Sequence, residues 1–238
     1  MQIFIASYYR ARCVVALGIF RSATVIVPAS QADLYQRGNA GLTMQSIADD
    51  QDGNLARKRN LLAAQGAQET DGAFVMVDDD VAGLWDRVER RAIAGDEAVA
   101  VLEALAARAQ TEGAAAFGVG PSRLPPWNPA AEWVVGGVFH HLYGFRALGT
   151  APFDEAVAGL ECTDFFLQCR QRGWKTLRWD RYALDVLKGN LGGLDRAKTN
   201  CVDACTALAR KWGPQVVDLT PEGVLCGLNF NAVQPLPA

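Results

Sequence analysis

Phe74-Val75-Met76-Val77-Asp78-Asp79-Asp80 sets the reading of the whole chain: four apolar residues run straight into three acids. An apolar run this short, entered through the turn signal Glu69-Thr70-Asp71-Gly72, suits a strand covered on both faces of a sheet. Alternate residues of an extended chain face the same way, so Asp78 and Asp80 converge while Asp79 points away. Two convergent carboxylates at the carboxyl end of a parallel strand make a hard-cation site suited to magnesium or manganese. Acidic triplets are also common as solvated loop charges, so the rest of the chain has to support that reading.

Outward from this stretch, Met1–Ser7 and Ala23–Pro28 read as further buried strands, and so do Ala115–Val119, Trp133–Phe139 and Trp174–Trp179. Leu55–Gln68 and the alanine-rich Asp96–Ala109 read as helices, the second with Asp96 as N-cap. Thr163–Arg172 reads as another, capped by Thr163 and closed by Gly173. Strands alternating with helices predict an α/β fold with a mostly parallel central sheet flanked by helices. Pro121–Pro129 and Leu187–Leu194 read as loops, and the proline-rich tail from Gln234 as a frayed end. No internal repeat is visible, so the expectation is one domain over 1–238.

The bulk numbers agree with a packed globule. The 238 residues are 50% hydrophobic and 21% charged, with a formal net charge of -3. That balance argues against a protein coated in positive charge but leaves room for a local basic groove. No run of about 18 apolar residues is present, and the N-terminus reads as a strand rather than a signal peptide. The six cysteines form no CxxC and the only histidines are His140 and His141, so no zinc pattern is present. These thiols read as reduced, which places the protein in the cytoplasm.

Several other motifs carry chemistry. Asn54-Leu55-Ala56-Arg57-Lys58-Arg59-Asn60 puts cations at a helix start, where the dipole disfavours them; a bound anion or simple exposure would account for that. Glu161 and Asp164 lie at the start of the helix around 163–172, where acids favour the dipole or could serve as a general base. Gly136-Gly137 inside an apolar run implies close approach of a ligand to the backbone, or a bulge. His140 and His141 read as structural. Arg87, Arg90 and Arg91 form one basic cluster; Arg170, Arg172, Lys175, Arg178 and Arg181 form another, interleaved with Trp174 and Trp179. Aromatics among cations can stack on nucleic-acid bases, although core tryptophans and solvated arginines give the same pattern.

In order and spacing these residues resemble the GT-A fold glycosyltransferases. The string Ala56–Asp80 is similar to the stretch in which an Arg-Asn pair on a helix precedes a metal-binding DxD strand. The chain is more similar still to the bacteriophage TET-associated glycosyltransferases. That likeness lies at Ala6–Arg10, at Val25-Ile26-Val27 followed by Tyr35, at Val77–Val81 and at Gly136-Gly137. It continues at Glu161–Phe165 with Gly173 beyond, and at Gly192-Gly193-Leu194. The resemblance implies a single GT-A-like, Rossmann-related domain, with 1–110 as the nucleotide-sugar-binding half and 111–238 as the acceptor-binding half. It implies that Ser7, Arg10, Arg59, Asp78 and Gly193 hold the sugar nucleotide. Asp78 and Asp80 would hold manganese or magnesium, and Asp164 or Glu161 would act as base. The implied reaction moves a sugar from a UDP-sugar to the hydroxyl of 5-hydroxymethylcytosine in phage DNA, with inversion, in the host cytoplasm and without a membrane partner. Two departures stand out: Glu161-Cys162 replaces the Glu-Asp of many members, and no histidine follows His141 to supply a late metal ligand. Other acceptors (protein, glycan or small molecule), nucleotidyl transfer, or a non-catalytic nucleotide-binding module are the rival readings.

Overall fold

The computed structural model describes residues 1–39, 41–69, 72–120, 132–146, 153–187 and 201–236. In chain order the strands are β1 (Gln2–Ala6), β2 (Thr24–Pro28), β3 (Met44–Ile47), β4 (Ala73–Asp78), β5 (Val81–Asp86), β6 (Arg91–Ile93), β7 (Ala114–Gly120), β8 (Trp133–Val135), β9 (Leu142–Arg146), β10 (Lys175–Val186), β11 (Val217–Leu219) and β12 (Leu225–Leu228). The helices are α1 (Ala32–Gly38), α2 (Asp49–Asp52), α3 (Leu55–Glu69), α4 (Asp96–Glu112), α5 (Glu161–Gln171) and α6 (Cys201–Trp212).

One sheet runs β3-β2-β1-β4-β9-β7-β10-β5-β6, with β8 also on β10, and β11 pairs with β12 as a separate hairpin. Strands β3, β2, β1, β4, β7, β10 and β6 share one direction; β9, β5 and β8 oppose it. The chain is therefore a single α/β domain with a mostly parallel central sheet flanked by helices.

The apolar runs are continuous because both faces of the sheet are covered. Ile3, Ile5, Val25, Val27, Val75 and Val77 face one core, packed with Leu102 and Leu105 of α4 and Tyr35 of α1. Phe4, Ile26, Phe74 and Met76 face the other, against Ala56, Leu62 and Ala63 of α3 and Phe165 and Phe166 of α5. Period two thus continues into the acids: Asp78 shares the parity of Met76 and Asp79 that of Val77. A third core joins α6 to the β11–β12 hairpin through Leu208, Trp212, Val216 and Val217.

Some local expectations shift. The strand expected over Trp133–Phe139 stops at Val135, because Gly136 adopts φ +76 and its N–H bonds Thr176 O at 2.8 Å. A Cβ on Gly137 would lie 2.8 Å from Arg178 Cβ, so strand packing accounts for that glycine without a ligand. β10 continues past Trp179 to Val186, carrying the polar Asp180-Arg181 through an irregular register. α4 opens at Asp96 with Gly95 as its cap residue, and α5 opens at Glu161 rather than at Thr163. Pro121–Pro129, Gly192-Gly193 and part of the Leu187–Leu194 stretch lie outside the described residues.

Candidate metal centre

β4 delivers Asp78 to the carboxyl edge of the sheet, beside Ala6 of β1 on one side and the start of β9 on the other. Its backbone N–H donates to His141 O at 2.8 Å, fixing His141 directly across from it. Asp78 Oδ2 lies 3.0 Å from His141 Nδ1, and Asp78 Oδ1 accepts from Arg59 Nη2 at 2.6 Å. Asp80, just past the strand, places Oδ2 3.2 Å from Arg10 Nη1 and Oδ1 4.0 Å from His141 Nδ1. One ligand atom each from Asp78, Asp80 and His141 falls within 4.8 Å of the others.

The residues fit a cation. Asp80 Oδ1 is buried and accepts no hydrogen bond among the described residues, a costly state that a positive ion would relieve. The three groups are two carboxylate oxygens and an imidazole nitrogen, donors that divalent ions accept. Burial opposes the charge on Asp78, but Arg59 and then His141 outweigh it and bring its carboxyl to about 2. Burial likewise lowers His141, yet its bond to Asp78 and the charge of Asp80 leave its pKa raised.

Asp79 turns to the opposite face, as its parity requires. There it accepts from Ser7 Oγ and pairs with Arg10 Nη1. Tyr35 OH bridges the same group, 2.7 Å from Ser7 Oγ and 3.0 Å from Arg10 N. Burial drives the Asp79 carboxyl up to about 6 against those two donors. Ser7 and Arg10, expected to hold the nucleotide, therefore stand beside the centre and tie β1 to the acidic turn. Lys58 Nζ reinforces that tie by donating to Ser7 O at 2.8 Å, with Asp52 as its counter-ion.

Arg59, expected to hold the sugar nucleotide, is a buried link. Its Nη1 bonds Glu161 Oε1 at 2.6 Å and Cys162 Sγ at 2.7 Å, while Nη2 holds Asp78. Its guanidinium lies 4.8 Å from the Tyr143 ring centroid. Lys58 and Arg59 at the start of α3 thus answer buried carboxylates, while Arg57 pairs with Glu155 at the surface. Cys162 also accepts from Tyr143 OH, and burial pushes its thiol up to about 12.

The two base candidates part company. Glu161 joins the centre through Arg59, its other oxygen accepting from Gly159 N at 2.7 Å. Asp164 is fully buried, and its carboxylate accepts from Gln168 Nε2, Lys211 Nζ and Trp212 Nε1, which fastens α6 to α5. Gly193 lies outside the described residues.

Part of each basic cluster is paired within the chain. Arg178 forks onto Asp180, Arg181 onto Asp86, and Arg91 onto Glu89 and Glu97. Trp179 stacks on Trp133 at 4.3 Å, with Arg108 on the Trp133 ring at 5.6 Å. No helix among the described residues is long and apolar enough to cross a membrane.

His141, Tyr35 and Lys58 were not marked as site residues by the sequence. A histidine beside a strand was the one available signal, and only the insertion of β9 between β4 and β7 gives it meaning.

No protein-family profile matches the chain, and no curated protein matches it. Among solved structures it is similar to a protein from Desulfovibrio desulfuricans G20 provisionally named a nucleotide-diphospho-sugar transferase. The TM-score is 0.46 and the identity 11%, over 76% of this chain and 80% of that one.

Proposed function

We propose that this chain is a metal-dependent glycosyltransferase that takes its sugar from a sugar nucleotide, with the donor's diphosphate at Asp78 and Asp80. The observation that carries the reading is the convergence of those two carboxylates at the carboxyl edge of parallel strands, one with a buried oxygen that accepts no hydrogen bond among the described residues. Crevices at that edge are where open α/β sheets bind ligands. A manganese or magnesium ion held there would neutralise charge on a departing diphosphate. Ser7 and Arg10 flank the same edge and shape the nucleotide side, and 1–110 is accordingly read as the donor half. Glu161 keeps Arg59, and through it Asp78, in place; Asp164 holds α6.

The sequence resemblance supplies the finer reading of a UDP-sugar donor, 5-hydroxymethylcytosine in DNA as acceptor, and inversion. The internal pairing of Arg91, Arg178 and Arg181 favours a second reading, a smaller acceptor such as a glycan or metabolite. Incubation of hydroxymethylated and plain DNA with labelled UDP-sugars, followed by mass spectrometry of the nucleosides, separates the two. Label on hydroxymethylcytosine supports the first, and release of UDP without labelled DNA supports the second. Asp80→Ala is expected to reduce transfer at least about a hundredfold while the fold persists, since this residue lies at a strand end outside the core. Unchanged turnover in that variant, or in excess chelator, removes the metal from the reaction.

A further inference from the structure

We propose that Arg10 is a charge gate: its guanidinium occupies Asp80 while the site is empty and leaves it for the donor's diphosphate, so that ion and sugar nucleotide bind more tightly together than apart. The proposal rests on the metal-dependent reading above and adds to it a coupling between the two ligands.

Three observations converge. One guanidinium nitrogen serves two neighbouring acids: Arg10 Nη1 pairs with Asp79 and lies 3.2 Å from Asp80 Oδ2. The other Asp80 oxygen, Oδ1, accepts no hydrogen bond among the described residues, so the carboxylate keeps an atom to offer an ion. Next, the hold on Asp79 is the firmer one. That acid is buried and also accepts from Ser7 Oγ, whereas Asp80 is partly exposed just past the strand. Lastly, the backbone of Arg10 is fixed while its tip reaches solvent. Its N–H donates to Tyr35 OH at 3.0 Å, and the preceding Tyr9 takes φ +52 with its own N–H on Gln31 Oε1 at 2.8 Å. The side chain itself is 13% exposed.

The coupling follows from charge. A divalent ion roughly 2.1 Å from Asp80 Oδ1 lies within roughly 6 Å of the guanidinium, and like charges that close oppose each other. Without a diphosphate, Arg10 therefore holds the ion off. A diphosphate brings negative oxygens that a guanidinium pairs with as it does with a carboxylate. Arg10 can then turn from Asp80 to phosphate while keeping Asp79, which leaves Asp80 to the ion. Such coupling is reciprocal: the ion gains from the donor what the donor gains from the ion.

The test measures manganese binding to the full chain by isothermal titration, without and with saturating UDP. In wild type, UDP should tighten manganese at least about tenfold. Arg10→Gln removes the charge; it should bind manganese alone at least about tenfold more tightly than wild type and lose most of the UDP effect. The complex of manganese with UDP in solution is common to both proteins and drops out of the comparison. Arg10→Lys keeps the charge and should behave as wild type, with circular dichroism checking that both variants fold. Manganese bound by wild type with no effect of UDP overturns the gate. So does an affinity unchanged or weakened in Arg10→Gln, or an Arg10→Lys that behaves like Arg10→Gln; Arg10 is then only a strut between Asp79 and Asp80. Failure of wild type to bind manganese with or without UDP overturns the metal reading beneath it. A wild-type crystal structure with magnesium and UDP decides the question even if a variant does not fold: Arg10 on phosphate supports the gate, and Arg10 still on Asp80 overturns it.

Discussion

At Arg59 a full positive charge sits with 2% of its side chain exposed, between Asp78 and Glu161. A buried charge persists only where partners replace its lost water, and here two carboxylates, a thiol and an aromatic face do so. The planar fork serves Asp78 and Glu161 at once, which a single ammonium cannot do. Arg59→Ala removes the cation from buried Glu161 and from half-buried Asp78, and should lower the unfolding free energy by about 3–5 kcal/mol, read by urea titration. Arg59→Lys should fall between that variant and wild type. An unchanged urea midpoint in Arg59→Ala would remove Arg59 as the link between α3, β4 and α5.

Among the elements, β9 matters most, because it is the antiparallel insertion that brings His141 to β4. Its place between β4 and β7 depends on Gly144, where a Cβ would lie 1.9 Å from Phe117 Cε2. Overpacking of this kind typically costs about 1–3 kcal/mol, so Gly144→Ala should lower the melting temperature by roughly 2–12 °C in calorimetry. The β5–β6 hairpin has a different dependence. Burial alone would raise the Asp86 carboxyl, but Arg181 and the N–H groups of Glu89 and Val88 outweigh it, and the folded-state pKa is lowered. A lowered carboxyl contributes stability above its ordinary unfolded pKa, and that stability is lost as pH falls through the folded value. Acid titration of unfolding should therefore show a steeper loss below about pH 4 in wild type than in Asp86→Asn. Parallel acid limbs would mean that Asp86 contributes nothing to the pH dependence.

Over the whole molecule, two cores on opposite faces of the sheet make Asp78 and Asp79 look in opposite directions, one toward α3 and one toward α1. An ion at the edge would connect β4, the acidic turn and β9, and binding only the folded state it would stabilise the chain as a unit. At a hundredfold excess over its dissociation constant that amounts to about 2.7 kcal/mol, or roughly 5–10 °C for a chain this long. Thermal denaturation should show that rise with manganese, its reversal by chelator, and no rise in Asp80→Ala. A shift of equal size in Asp80→Ala would place the bound ion elsewhere.

Much of this was legible in the chain. The apolar run 74–77 predicted a buried strand, alternation predicted that Asp78 and Asp80 leave Asp79 behind, and the alternation of elements predicted the sheet. These follow from backbone geometry acting over a few residues, which any stretch carries within itself. Other features were decided only in three dimensions: His141 reaching Asp78 from 63 residues away, Arg59 turning inward to Glu161 across 102, and Asp164 closing on α6. Strand order and helix docking set those meetings. A side chain's local pattern states which face it takes, but not what the rest of the chain will lay against that face.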